Sequence, residues 1–186
     1  MNNNTNIEND CNQIIHSLKK SNINFLAIDF DLTLICEHTG GKWGGGGHDL
    51  AMKVRPLFKL LIPLAMQNDI LVAIVTFSPQ TRLIAEVLQH VFPEFANKIP
   101  IRGEDKTWEY LGGGSTEGKQ AHMASAAEDL SQINSVKITR NSTLLIDDDG
   151  NNIRVALANK VRAIRLDPNN TSSTVAGLIA LKDFSR

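Results

Sequence analysis

Several acids, a threonine and a lysine stand in this sequence where chemistry could use them. Asp29 and Asp31 close the apolar run at residues 24–30, in the stretch Asp29-Phe30-Asp31-Leu32-Thr33. Asp147, Asp148 and Asp149 close another, at residues 143–146, and Asn152 follows. Thr76, Phe77 and Ser78 end a third, at residues 70–75, and Lys119 opens a helical pattern. Paired carboxylates can serve as nucleophile and as general acid or base, and clustered oxygen donors suit a hard cation. Each group also has a plain role. Acids after a strand form turns, an acidic triplet favours a helix start, a threonine caps a helix, and a lysine at a loop end is commonly solvated. Their shared position at the ends of apolar runs favours the chemical reading.

The elements that must position them alternate in type. Strands are expected at residues 24–30, 70–75, 99–101, 143–146 and 161–166, the first of them too apolar for a two-faced strand. Helices are expected between them: one opened by Pro56, one carrying Leu83, Ile84, Val87, Leu88 and Val91, one at 119–130, one at 153–160 and a last one at 174–181. Ile7, Cys11, Ile14, Ile15 and Leu18 recur at helical spacing ahead of the first strand. Residues 1–21 therefore read as a polar leader and helix, and residues 22–186 as a single domain. Residues 39–47 and 103–118 are glycine-rich loops. Strands separated by helices imply an α/β fold of Rossmann-like type, a mostly parallel sheet between helical layers. Ligands then bind beyond the carboxyl ends of the strands.

Asp29-Phe30-Asp31-Leu32-Thr33 resembles the Asp-x-Asp-x-Thr signature of the haloacid dehalogenase superfamily. The superfamily's other motifs follow in order as Thr76, Lys119 and Asp147-Asp148 with Asn152, so the resemblance spans residues 24–167. It implies a magnesium-dependent phosphomonoester hydrolase working through an aspartyl phosphate, with Asp29 as nucleophile and Asp31 as acid and base. It implies that Asp29, Asp148 and the Asp31 carbonyl hold Mg²⁺, that Asn152 fixes the metal's water shell, and that Asp147 stands behind them. Lys119 and Thr76 would hold the phosphoryl oxygens together with the backbone near Thr33, Phe77 and Ser78; Lys106 is an alternative to Lys119. Neither inter-motif stretch has room for a large cap domain, and in the superfamily an open site often accompanies phosphoprotein substrates. Residues 39–47 then read as a flap, with Lys42, Trp43 and His48 near the leaving group, and Trp108 and Tyr110 extend the rim.

Other readings remain. A small metabolite or nucleotide could be the phosphorylated substrate. Residues 113–120, Gly-Gly-Ser-Thr-Glu-Gly-Lys-Gln, match a P-loop except at Gln120, where the magnesium-binding hydroxyl is missing. A catalytically silent binding protein is the third alternative, although no expected acid is replaced. With 42% hydrophobic and 21% charged residues and a net charge of −1, the chain should fold, and no field of one sign steers it to nucleic acid. Cys11 and Cys36 match neither a disulfide framework nor a zinc spacing. No apolar stretch could span a bilayer, and residues 1–10 lack the features of a secretory signal, so a cytoplasmic location is expected.

Overall fold

The computed structural model describes residues 3–109 and 112–181. Five strands, β1 (Phe25–Ile28), β2 (Leu71–Val75), β3 (Ile101–Arg102), β4 (Thr143–Asp147) and β5 (Arg162–Arg165), form one sheet in the order β3-β2-β1-β4-β5. Every pairing is parallel. The uniform apolarity of β1 and β2 has a direct cause, because both faces of the sheet are covered there. Leu26, Ile28, Val72, Ile74, Leu144 and Ile146 point into one core cluster, and Phe25, Ala27, Ala73, Val75 and Leu145 into the other.

The first cluster is closed by α1 (Asn3–Lys20), α2 (Gly47–Ala51), α3 (Pro56–Gln67), α4 (Thr81–Val91) and α7 (Thr171–Ile179). The second is closed by α5 (Gln120–Asn134) and α6 (Gly150–Ala158). The fold is thus a Rossmann-like three-layer α/β sandwich. Cys11, Ile14, Ile15 and Leu18 of α1 are buried in the first cluster, and Ser17 donates to the carbonyl of Ile179 at 2.7 Å, so this helix is built into the outer layer. Among the described residues, no helix is long and apolar enough to cross a membrane.

The expected strands are all present, with small shifts in their limits. The third begins later, at Ile101, because a short 3-10 turn (Ala96–Lys98) and Pro100 precede it. α6 starts earlier than expected, since the Asp149 side chain caps it by accepting from the backbone N–H of Asn151 and Asn152. α2 is an unforeseen helix at the end of the glycine-rich segment. It lies so close to α4 that a Cβ on Gly47 would come within 2.4 Å of the Glu86 Cβ. No inserted cap domain occurs among the described residues: α2 and α3 lie between Asp31 and Thr76, and α4, the 3-10 turn and β3 between Thr76 and Lys119.

The chain leaves β1 for β2 on one side and returns from β3 to β4 on the other. The carboxyl ends of β1 and β4 therefore meet at the point where the winding reverses, the usual place for a ligand cleft in such sheets.

Candidate active site

β1 ends at Ile28, and Asp29 takes the next position, its N–H still donating to the Ile146 carbonyl at 3.0 Å. A wide turn, Phe30–Leu34, follows, with extended backbone at Asp31 and the N–H of Leu34 bonded to the Asp29 carbonyl at 3.1 Å. Inside this turn Leu32 has φ +56°, a left-handed conformation that costs a non-glycine residue about 1–2 kcal/mol. Buried Arg55 holds the turn in place by donating to the carbonyls of Leu32 at 2.9 Å and Thr33 at 3.1 Å. The turn brings Asp31 back over the end of the sheet.

A cleft of about 320 Å³ opens there. Asp29, Thr76, Lys119, Asp147, Asp148 and Asn152 line its floor, and Asp31, His38, Gly40, Gly41, Phe77, Ser78 and Pro79 are among its walls. Asp29, Asp147 and Asp148 each bring a carboxylate oxygen within 4.8 Å of the others. Lys119 is 1% exposed, its Nζ 3.1 Å from Asp29 Oδ1 and 3.9 Å from the centre of the Phe77 ring. That geometry combines an ion pair with a cation–π contact.

The remaining bonds fix the acids. Asp147 accepts from the Asp149 N–H and from Asn152 Nδ2, both at 2.9 Å, so both of its oxygens are engaged within the protein. The Thr33 hydroxyl accepts from the Asp148 N–H at 3.0 Å and donates to Asp148 Oδ1 at 3.3 Å. Thr76 Oγ1 accepts from the Ser78 N–H at 3.1 Å, which leaves its hydroxyl hydrogen to aim elsewhere. Asp31 receives the Thr39 hydroxyl at 2.8 Å, the Thr39 N–H at 3.1 Å and the Gly40 N–H at 3.2 Å, with His38 Nδ1 at 3.5 Å.

Burial dominates the electrostatics. It raises the Asp29 pKa despite the opposing charge and hydrogen bond of Lys119, with Asp148 pushing the same way. Burial and then the Asp29 charge push Asp147 up to about 8. Asp148 is raised, chiefly by burial, against its bond from Thr33. Positive charge would relieve the burial and crowding that raise these acids, and the donors are all oxygen, so the floor fits a hard divalent cation.

Not every residue singled out in the sequence reaches this cleft. Thr33 lies outside its lining, bonded to Asp148, whereas Asn152 lines the floor while bonded to Asp147. Lys42 is exposed and Trp43 packs against the main core; neither lines the cleft. His48 meets His90 edge-on at 5.4 Å, outside the cleft lining. Lys106 is exposed and lies outside the lining, so the lysine beside Asp29 is Lys119. Tyr110 lies outside the described residues.

Several contributors escaped the sequence reading, among them His38 and Thr39 beside Asp31. His122, fully buried one turn after Lys119, packs edge-on against Phe77 and Trp108 at 5.2 and 5.1 Å. Burial and then the Lys119 charge lower its pKa to about 3, so it stays neutral and adds no repulsion to the lysine. Arg55 and Gln80 escaped it too, and nothing in their local sequence marks them, because their partners are main-chain atoms far along the chain.

No protein-family model matches the chain, and no curated protein does. Among solved structures, it is similar to an uncharacterized protein from Corynebacterium glutamicum ATCC 13032 Kitasato, with 16% sequence identity, covering 86% of this chain and 97% of that one at a TM-score of 0.46.

Proposed function

We propose that this chain is a magnesium-dependent phosphomonoester hydrolase of the haloacid dehalogenase type, acting through an aspartyl phosphate on Asp29. The observation that carries the reading is the buried floor, where three carboxylates from two neighbouring strands crowd together beside one buried lysine. Asp29 and Asp148 are the side chains that would hold the cation, with Asp147 behind them, anchored to Asn152. Bound there, Mg²⁺ supplies the positive charge that lets a carboxylate approach a phosphoryl group.

The protein's own groups carry the reaction. An Asp29 oxygen attacks phosphorus as the ester P–O bond breaks. The electron pair stays on the leaving oxygen, which takes a proton from Asp31. Water then attacks the same phosphorus and gives a proton back to Asp31. The bond from phosphorus to Asp29 breaks, releasing inorganic phosphate and restoring the carboxylate. Throughout, Lys119 and the Thr76 hydroxyl face the phosphoryl oxygens and stabilise their charge, a contribution typically worth about 10²–10³ in rate per donor. A P-loop reading is disfavoured by the intervening segment: residues 103–112 separate β3 from the P-loop-like stretch at 113–120, and Lys119 is already paired with Asp29.

The test is hydrolysis of an aryl phosphate, with phosphoserine peptides and phosphorylated metabolites alongside to define the substrate. Turnover should vanish with a chelator, return with Mg²⁺, and fall by on the order of 10⁴-fold or more in Asp29→Asn. Wild-type turnover in that variant would place the nucleophile elsewhere and sink the proposal.

A further inference from the structure

The glycine-rich segment reads as a mobile flap in the sequence, yet in the structure it is tied at two points. At one end, the Thr39 hydroxyl contacts both oxygens of Asp31, at 2.8 and 2.9 Å, while accepting from the Gly41 N–H at 3.3 Å. A hydroxyl has one hydrogen, so accepting from Gly41 directs that hydrogen at Asp31. At the other end, Gln80 grips Trp43 as a paired strand would: its Oε1 accepts from the Trp43 N–H at 2.7 Å, and its Nε2 donates to the Trp43 carbonyl at 2.9 Å.

Between these ties, Gly40 and Gly41 take φ +58° and +69°, which glycine adopts without strain. Gly41 lies so near Pro79 that a Cβ would stand 2.9 Å from its Cδ. The segment is therefore pressed onto the loop between β2 and α4, the same loop that carries Thr76. Asp31 Oδ2 receives two backbone N–H groups and faces His38, whereas Oδ1 receives only the shared Thr39 hydroxyl. Oδ1 is thus the oxygen with a lone pair left for a substrate.

We propose that Thr39 and Gln80 are positioning residues that aim Asp31 Oδ1 at the leaving-group oxygen, Thr39 by direct contact and Gln80 by fixing the segment that carries Thr39. The inference rests on the phosphohydrolase reading, in which the breaking P–O bond leaves its electron pair on an oxygen that takes the Asp31 proton. Neither residue needs to touch the phosphoryl group. Their loss should therefore act on the leaving-group side alone.

The experiment compares kcat/KM on two substrates: p-nitrophenyl phosphate, whose leaving group departs without much help, and an alkyl phosphate, which depends on the acid. Gln80→Ala and Thr39→Val should each lower the alkyl rate by about 10- to 100-fold, a part of the roughly 10²–10⁴ that general acid catalysis supplies, and the aryl rate by far less. Thr39→Ser, which keeps the hydroxyl, should restore the alkyl rate. Equal losses on both substrates, or none, would overturn the proposal. Should Gln80→Ala fail to fold, Gln80→Glu decides in its place, since it keeps the acceptor for the Trp43 N–H and loses the donor. Asp31→Asn separates the two layers of the argument. If it shows the leaving-group bias and the Gln80 and Thr39 variants do not, this inference fails alone; if it shows none, the acid role of Asp31 fails first.

Discussion

Asp29, Asp147 and Asp148 stand at the ends of β1 and β4, which pair over four consecutive positions, whereas residues 39–43 on the facing wall belong to no strand and hang from the side chains of Asp31 and Gln80. The floor takes its geometry from a buried backbone ladder. That ladder can hold like charges together, because moving one acid would mean unpairing a strand. The wall takes its geometry from a few side-chain bonds, each worth only about 0.5–1.5 kcal/mol. On the proposed reading, rigid positioning falls where charge must be compressed, and adjustable positioning where a leaving group would be met.

The sharpest way to break this contrast is on the floor. Lys119→Met removes the only cation beside Asp29 among the described residues and should lower kcat by about 10²–10³ in steady-state kinetics. A near-wild-type rate would mean that the floor's charge balance does not govern turnover.

The second probe is pH. In the folded chain Asp147 keeps its proton up to about pH 8, whereas a carboxyl in the unfolded chain loses it near 3.8. Between these values the folded state binds more protons, so metal-free stability should be greatest below about pH 4 with respect to this group and fall as pH rises through 8. Asp29 and Asp148, also raised, add to the same trend. Magnesium competes with those protons. Its stabilising effect, about 2.7 kcal/mol at a hundred times Kd, should therefore grow from pH 6 to pH 8 in thermal melts. A magnesium shift that shrinks with pH would contradict a carboxylate-built cation site.

On the wall, Gly41→Ala must accept φ +69° and a contact with Pro79, and should cost about 1–2 kcal/mol in chemical denaturation. An unchanged midpoint would show that the segment is free to move away. The smallest effect is expected at exposed Lys42: Lys42→Ala should leave melting temperature and kcat/KM within error. A substantial loss of activity there would return that lysine to the substrate.

This contrast also explains what was readable in the sequence. Residues 25–28, 71–75 and 143–147 announce themselves because a doubly covered strand must be apolar throughout, and acids at the ends of such runs stand out. Asp29, Asp31, Thr76, Asp147 and Asp148 were therefore found by pattern. Lys119 and Lys106 could not be separated, because burial of one lysine depends on Phe77 and His122 packing around it, and no periodicity encodes that. α2 was missed because five residues after a glycine cluster carry little helical signal; its stability comes from packing on α4. Trp43 was assigned to the leaving group from its place in a glycine-rich stretch, but its backbone is spent on Gln80 and its ring on the core.

The central place of β1 bears on how the protein is made. Its neighbours come from residues 71–75 on one side and 143–147 on the other, so the sheet closes only after long stretches of chain have been brought together, a slow class of assembly. During synthesis, a ribosome-bound chain that has released β1, β2 and β3 still lacks two of the three clustered acids. On the proposed reading, uptake of an ion would have to wait for β4 to dock, and a half-made chain would be chemically silent.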